Sequence, residues 1–426
     1  MRKRIFCLLV AVIMLSLTGC NNLPITQTGP KPTDTAPTVA LMEDPTGYKV
    51  THPMKYPDYT LEENASVIDM RLTAVQAARD VISINWSIPT GISYNKTGPV
   101  SNKLFMHAAD TTYAGVIYSN ASTGLFQFME YYDQETGRLL FPGSANQLKE
   151  TLGASCADAM IWGLTTVCPS IKGAYYPSTM VIQNGYYPLG SITYDNSLTN
   201  FTFKPTDKIM EENGKDVVVE AYTLVLPGDM LVSTPDNHGM MAIEKAHVVT
   251  NADGSIDMAK SYVKIQDQRG GQGQGFYEQE IDGEIIQFSG RTEYNFTFDK
   301  LYEKGYIPVT TAEFMGKKAY ERATVTADKS PTTFEELLQT TVTCNYPMAV
   351  MNATLVYPDG TTYLIEKKLF SGAGDEGVPR TQLLSEMFVL AKGEFLEALK
   401  PECDYTLLIE VVAANGERLQ AVTLTL

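Results

Sequence analysis

The sequence predicts an α+β chain whose last part is a small β-sandwich, and three observations carry that prediction. An apolar stripe at helical spacing opens the folded part. A second apolar helix starts near Ser155 and stops at Cys168-Pro169, where proline cannot continue it. Beyond it, short β-branched and aromatic runs alternate with turn residues, and helices followed by strands are the order of an α+β unit. At roughly 150 residues per domain, 426 residues suffice for about two or three domains with more than one core.

Taken in order, Met1-Arg2-Lys3-Arg4 is positively charged, Ile5 to Leu17 is almost wholly apolar, and Leu17-Thr18-Gly19-Cys20 follows. This start resembles a bacterial lipoprotein signal, in which a small residue precedes the cysteine that becomes the acylated first residue. The apolar run is too short to span a bilayer. Residues 1–20 are thus expected to be a leader, with Cys20 as the lipidation site and Cys7 lost on cleavage. Losing Arg2, Lys3 and Arg4 takes the net charge from −16 to −19. Residues 21–58 are rich in Pro and Thr with little apolar periodicity, which predicts an extended tether.

A helix is predicted from about Glu62 to Asp80, with Val67, Ile68, Leu72, Val75 and Ala78 on one stripe and Asp69, Arg71, Gln76 and Arg79 outside it. Between Val81 and Lys149 apolar runs are broken by turns such as Asn95 to Pro99. After the helix at Ser155, candidate strands are Val217 to Tyr222, Met240 to Val249, Tyr262 to Asp267 and Glu284 to Phe288. Asn251 to Gly254 and Asp282-Gly283 hold turn positions, and Gly270 to Gly275 reads as a flexible loop. A boundary is expected at 326/327. Thr341 to Asn345, Ala353 to Tyr357, Thr362 to Glu366, Tyr405 to Val412 and Gln420 to Leu426 then read as sandwich strands, immunoglobulin-like in the loose sense, with hairpin turns at Pro358-Asp359-Gly360 and Asn415-Gly416.

With 49 acidic against 33 basic residues and no basic stripe, the chain would repel a phosphate backbone, so nucleic acid is excluded as an expected partner. The 6 cysteines are too few and scattered for a disulfide scaffold, and no two form a CxxC pair. No metal or organic cofactor is expected. Cys344 and Cys403, early and late in the sandwich, either bridge its sheets or stand as two buried thiols. Cys168 lies roughly 18 Å along the helix from Cys156 at about 1.5 Å per residue, too far to bridge it. Trp86 and Trp162 read as core packing. Tyr175, Tyr176, Tyr186 and Tyr187 read equally as groove lining or rim packing.

Cys156 opens the second helix, where unpaired amides and the positive end of the dipole favour a thiolate. A cysteine nucleophile needs an imidazole, and the chain has 4 histidines. His52 is in the tether, His107 has no clear strand around it, and His247 sits inside a candidate strand. His238 stands apart: Leu226-Pro227-Gly228-Asp229 leads into an apolar run, a turn follows, and His238-Gly239 opens the next run.

This order resembles the papain-like NlpC/P60 and CHAP families of cell-wall cysteine hydrolases. Their core is a helix led by the nucleophilic cysteine, a strand entered through a "PGD" turn, and a strand opening on the catalytic histidine. The resemblance covers about Leu61 to Phe314, although Ser155 and Ala157-Asp158 replace the usual "DCSG" flanks and the spacings are longer. It implies a papain-like hydrolase domain over 59–326 and leaves the sandwich at 327–426, read from its strand pattern, unaddressed. Gly115 to Ser119 looks like the family's "GxPYS" segment, which would put Tyr118 near the oxyanion. A third residue should orient the imidazole from the following strand. Period 2 puts Asp267 on the face of Val263 and Ile265, an unusual place for a carboxylate without a partner, and it stands where the CHAP "SEQN" glutamate does. Gln266 and Gln268 are the alternatives.

The expected function is therefore a monomeric, lipid-anchored cysteine hydrolase on the extracytoplasmic face of the membrane, cutting amide or peptide bonds of peptidoglycan or another cell-surface peptide. The competing expectation is a non-catalytic surface lipoprotein that uses the same units to bind glycan or protein.

Overall fold

The structure, a computed structural model, describes residues 48–49, 56–95, 104–118, 125–141, 152–172, 176–268, 277–281, 284–288, 291–370, 380–388 and 404–426. The leader, Cys20, His52 and most of the tether lie outside these residues. So do Lys96 to Pro99, Tyr175, Gly270 to Gly275, Asp282-Gly283 and Cys403. The described residues are a mixture of helix and mainly antiparallel sheet, consistent with an α+β reading.

Helix α1 spans Val67–Ser83 and starts later than predicted because Ser66 caps it: its hydroxyl accepts from the Asp69 amide, and the Asp69 carboxylate accepts from the Ser66 amide. The predicted stripe is rotated. Ile68 and Leu72 are 50% and 51% exposed, while Met70, Ala74, Val75, Ala77, Ala78, Val81 and Ile82 are buried together with Arg71. The reason lies in what α1 packs against. Short strands β1 (Ile117–Tyr118) and β2 (Gly153–Ala154) precede α2 (Cys156–Thr165), which lies on α1. At the crossing, a Cβ on Gly163 would lie 2.5 Å from the Ala74 carbonyl oxygen, so only small residues let the two backbones meet. The alanine face of α1 therefore turns inward in place of the bulkier Ile68 and Leu72.

Beyond α2 come β3 (Tyr186–Pro188), helices α3 (Thr206–Asn213) and α4 (Lys215–Thr223), and strands β4 (Met230–Ser233), β5 (His238–Ala242), β6 (Tyr262–Gln268), β7 (Arg291–Thr297) and β8 (Ile307–Thr311). The predicted strand at Val217 to Tyr222 is α4. Its β-branched run is overridden because Val218, Val219, Ala221 and Tyr222 form one buried helical face, with the Tyr222 hydroxyl donating to the Tyr306 carbonyl at 2.6 Å. The strand predicted over Met240 to Val249 ends at Ala242, and past it His247, an exposed residue, makes an isolated bridge to Tyr262 and stacks on its ring. The predicted strands at Tyr262 to Asp267 and Glu284 to Phe288 form.

Strands β3 to β8 build one antiparallel sheet in the order β3-β8-β4-β5-β6-β7. Helix α2 packs on its β5 and β6 strands, with α1 behind it. Arg71 fastens α1 to the turn before β4. Its guanidinium donates to the Asp229 carboxylate at 2.9 Å, the Pro227 carbonyl at 2.8 Å and the Phe314 carbonyl at 3.1 Å, and sits over the Phe314 ring. Burial raises the Asp229 carboxyl, and the Arg71 charge opposes it.

Around the expected boundary lies β9 (Val325–Ala327), which pairs with β10 (Thr341–Cys344); β10 in turn pairs with β13 (Thr381–Leu383). A second sheet contains β11 (Met348–Val356), β12 (Thr362–Leu369), β14 (Thr406–Ala413) and β15 (Arg418–Thr425), with Tyr48–Lys49 paired on the edge of β12. Val342 and Cys344 from the first sheet share one core with Leu355, Leu407, Ile409 and Val411 from the second. Ala349, Val350 and Val412 point to the other side and join the core of the N-terminal part. Part of the expected tether is packed on the fold: Tyr56 and Tyr59 are buried, and the Tyr59 amide donates to the Asn415 carbonyl at 2.7 Å.

Removing one member of a buried ion pair leaves the other charge uncompensated. Arg71→Ala is expected to lower stability by about 3 to 5 kcal/mol, read from the shift in urea midpoint at unchanged slope. Gly163→Ala, which must push α1 off α2, is expected to lower it by about 1 to 3 kcal/mol in the same measurement.

Candidate active site

Cys156 is the first residue of α2. Ser155 caps the helix, accepting from the Asp158 amide, while the Asp158 carboxylate accepts from the Ser155 amide at 3.2 Å and hydroxyl at 2.6 Å. The amide of Cys156, at the first position of the helix, has no intrahelical acceptor, so it points out of the helix end as an available donor. The strand leading to Cys156 is fixed from below. β2 pairs in parallel with β1, setting Tyr118 opposite Ala154, and the Gln268 side chain donates to the Val116 carbonyl at 3.1 Å and the Ala154 carbonyl at 3.0 Å.

Opposite the helix end, β5 opens on His238. Its ring hydrogen-bonds the Cys156 thiol, and the Gly239 amide donates to the same sulfur. On the far side, His238 Nε2 lies 2.8 Å from Oδ2 of Asp267, which leaves Nδ1 as the nitrogen for the thiol. Strand register explains the second contact. β5 and β6 pair Met241 with Gln266 and Ala242 with Ile265, so the next pair sets Asp267 opposite Met240. His238, two residues before Met240, is then the diagonal same-face neighbour of Asp267.

The electrostatics of the pair are set by burial and by the partners. Burial alone pushes the Cys156 thiol up. The His238 charge, the His238 hydrogen bond and the Gly239 amide outweigh it, and the thiol falls below its ordinary value. Burial pushes His238 down; the Cys156 charge and the Asp267 carboxylate outweigh it and raise the imidazole to about 9. Both shifts favour the same state, a thiolate beside an imidazolium. The other described thiols show the reverse: burial raises Cys168, with the Glu313 charge adding to it, and burial raises Cys344.

Of the residues singled out from the sequence, Cys156, His238 and Asp267 meet in one line. Gln266 and Gln268 do not reach His238. Gln266 donates to the Val75 carbonyl at 3.1 Å, and Gln268 holds the approach to Cys156. Both are buried, because this end of β6 is covered on both faces by α1, α2 and β1–β2, so the period-2 distinction between faces fades there. Tyr118 is half-buried, in register two residues ahead of Cys156. Cys168 and Cys344 are free thiols, and Cys403 lies outside the described residues. His107 is packed between the rings of Trp86 and Tyr113 and driven down to about 4 by burial, which makes it part of the aromatic core. Tyr186 is buried, Tyr176 is 48% exposed, and a Lys317 ammonium sits over the Tyr187 ring.

Two participants were not read from the sequence. The Gly239 amide is a backbone group with no sequence signal beyond the small residue after His238. Tyr294 on β7 donates its hydroxyl to Oδ2 of Asp267 at 3.2 Å. An alternating reading of Arg291 to Thr297 would have found its strand, but the contact follows only from pairing β7 with β6.

Among the described residues, no group of three or more His, Cys, Asp or Glu is placed to hold a metal ion, and no helix is long and apolar enough to cross a membrane. No family model, curated protein or solved structure matches the chain.

An unperturbed thiol is only about 1% ionised two units below a pKa near 8.5. Iodoacetamide at pH 6.5 is therefore expected to alkylate Cys156 at least tenfold faster than Cys168 or Cys344, as read by peptide mass spectrometry. His238→Ala should remove that preference.

Proposed function

We propose that the chain is a cysteine hydrolase that cleaves amide or peptide bonds of cell-wall peptide, acting from the extracytoplasmic face of the membrane through lipid on Cys20. The observation that carries the chemistry is the buried line of thiol, imidazole and carboxylate at the start of α2. The order of motifs resembling NlpC/P60 and CHAP hydrolases supports the substrate class, and the leader-like segment ending at Cys20 supports the location.

In this reading the Cys156 thiolate attacks the carbonyl carbon. The oxygen gains the negative charge, and the amide at the start of α2 faces it, with Tyr118 beside the approach strand as a second donor. The His238 imidazolium passes its proton to the leaving nitrogen, the C–N bond breaks, and a thioester to Cys156 remains. Neutral His238 then takes a proton from water as the water attacks the thioester, and the thiolate and imidazolium are restored. Asp267 holds the ring through Nε2 and stabilises the imidazolium, as the third residue of such a line does. The fold around this line is read as papain-like and the C-terminal sheets as immunoglobulin-like.

Release of peptide fragments from purified peptidoglycan tests it. Wild type should release them, and Cys156→Ala should abolish release; equal release by both would overturn the reading. Asp267→Asn is expected to fold normally and to lower turnover by about 100-fold or more, since it removes the carboxylate that supports the proton-carrying ring. Complete absence of release by wild type, with an unreactive Cys156, would favour the non-catalytic binding module.

A further inference from the structure

The line Cys156–His238–Asp267 does not end at the carboxylate. Asp267 is fully buried, and an ionised carboxylate in that position depends on hydrogen bonds to hold its charge. Tyr294 gives one to Oδ2, the same oxygen that meets His238 Nε2. Its position is set by the sheet. In the β6–β7 ladder Asp267 lies opposite Thr292 and Ile265 opposite Tyr294, so Tyr294 is the diagonal same-face neighbour of Asp267. His238 reaches Asp267 from β5 by the same diagonal step, and three adjacent strands thus place one side chain each in a row. The Tyr294 ring is itself held, edge-on to Phe296, which packs edge-on against buried Tyr306. Its hydroxyl also lies 3.6 Å from the Met240 sulfur, the residue opposite Asp267.

We propose that Tyr294 is a positioning residue of the site, a fourth member of the line that fixes the rotamer and charge of Asp267 and through it the His238 ring. This inference rests on the reading of Cys156 and His238 as a reactive pair. Without the hydroxyl, the carboxylate loses one of its anchors, and the imidazolium that supports the thiolate is held less firmly.

The test is the pH profile of Cys156 alkylation by iodoacetamide, which needs no substrate. Tyr294→Phe keeps the ring and removes only the hydroxyl. Its acid limb is expected to move up by about half a unit to one unit, so that labelling at pH 6 falls about 3- to 10-fold while the thermal midpoint changes little. In an Asp267→Asn background the same substitution should add nothing, because Tyr294 acts through that carboxylate. An unchanged profile, or an equal shift with and without the Asp267 carboxylate, would overturn the proposal. Should Tyr294→Phe misfold, wild type labelled with 13C at the tyrosine ring carbon bearing the hydroxyl decides the point: the Tyr294 resonance should shift when Cys156 is alkylated, and its failure to move overturns the proposal. A wild-type Cys156 that shows no His238-dependent labelling at all would instead defeat the reactive-pair reading itself.

Discussion

Burying a separated charge pair is the constraint on which the site depends. Water would stabilise a thiolate and an imidazolium separately. At Cys156 and His238 that solvation is removed, and burial is the largest influence on each group and acts against both charges. What reverses it is a set of fixed dipoles and charges: the Gly239 amide, the Asp267 carboxylate and each partner's own charge, against the opposing charge of Asp158. Such groups are effective because they are already oriented, so no reorganisation is needed when charge develops. Cys168, equally buried a few residues past the same helix, has no imidazole beside it and moves the other way.

Fixed dipoles require a rigid frame. The helix bearing Cys156 is pressed onto β5 and β6 by α1, and the close approach at Gly163 leaves α2 little freedom to shift. Arg71 ties α1 to the turn that launches β4, the neighbour of the histidine strand. A buried ion pair of this kind adds little net stability over an apolar contact, but it tolerates few alternative arrangements. The diagonal register of β5, β6 and β7 then aligns His238, Asp267 and Tyr294.

The C-terminal sheets are attached to this frame at several points. The Gln127 side chain donates to the Phe370 carbonyl at 2.6 Å, Lys367 pairs with Glu130 at 2.7 Å, and Arg380 donates to the Ile171 carbonyl at 2.9 Å just beyond α2. The segment from Pro57 to Tyr59 is laid against the turn at Asn415 and Gly416. Gly416, in the left-handed region at φ +89°, is needed there, because a Cβ would strike the Pro57 carbonyl oxygen.

The local chemistry of the site was legible in the sequence. Cys156 after a capping serine, His238-Gly239 after a PGD turn, and a carboxylate at Asp267 among alternating apolar residues are short-range signals, and the groups that bear them meet. Local pattern failed where the partner was distant. Val217 to Tyr222 has the composition of a strand and is a helix, because its buried face is chosen by Tyr306 and the sheet. The stripe on α1 is rotated because Gly163 and Asp229, far along the chain, prefer small side chains and one arginine inward. Tyr294 and the Gly239 amide join the site only through strand pairing and helix packing. The sequence by itself singled out Cys156, His238 and Asp267 as candidates, since residue type and immediate neighbours suffice for that. Tertiary structure decided which faces are buried, and with them the charge state of the pair, because desolvation and long-range pairing depend on the whole packed chain.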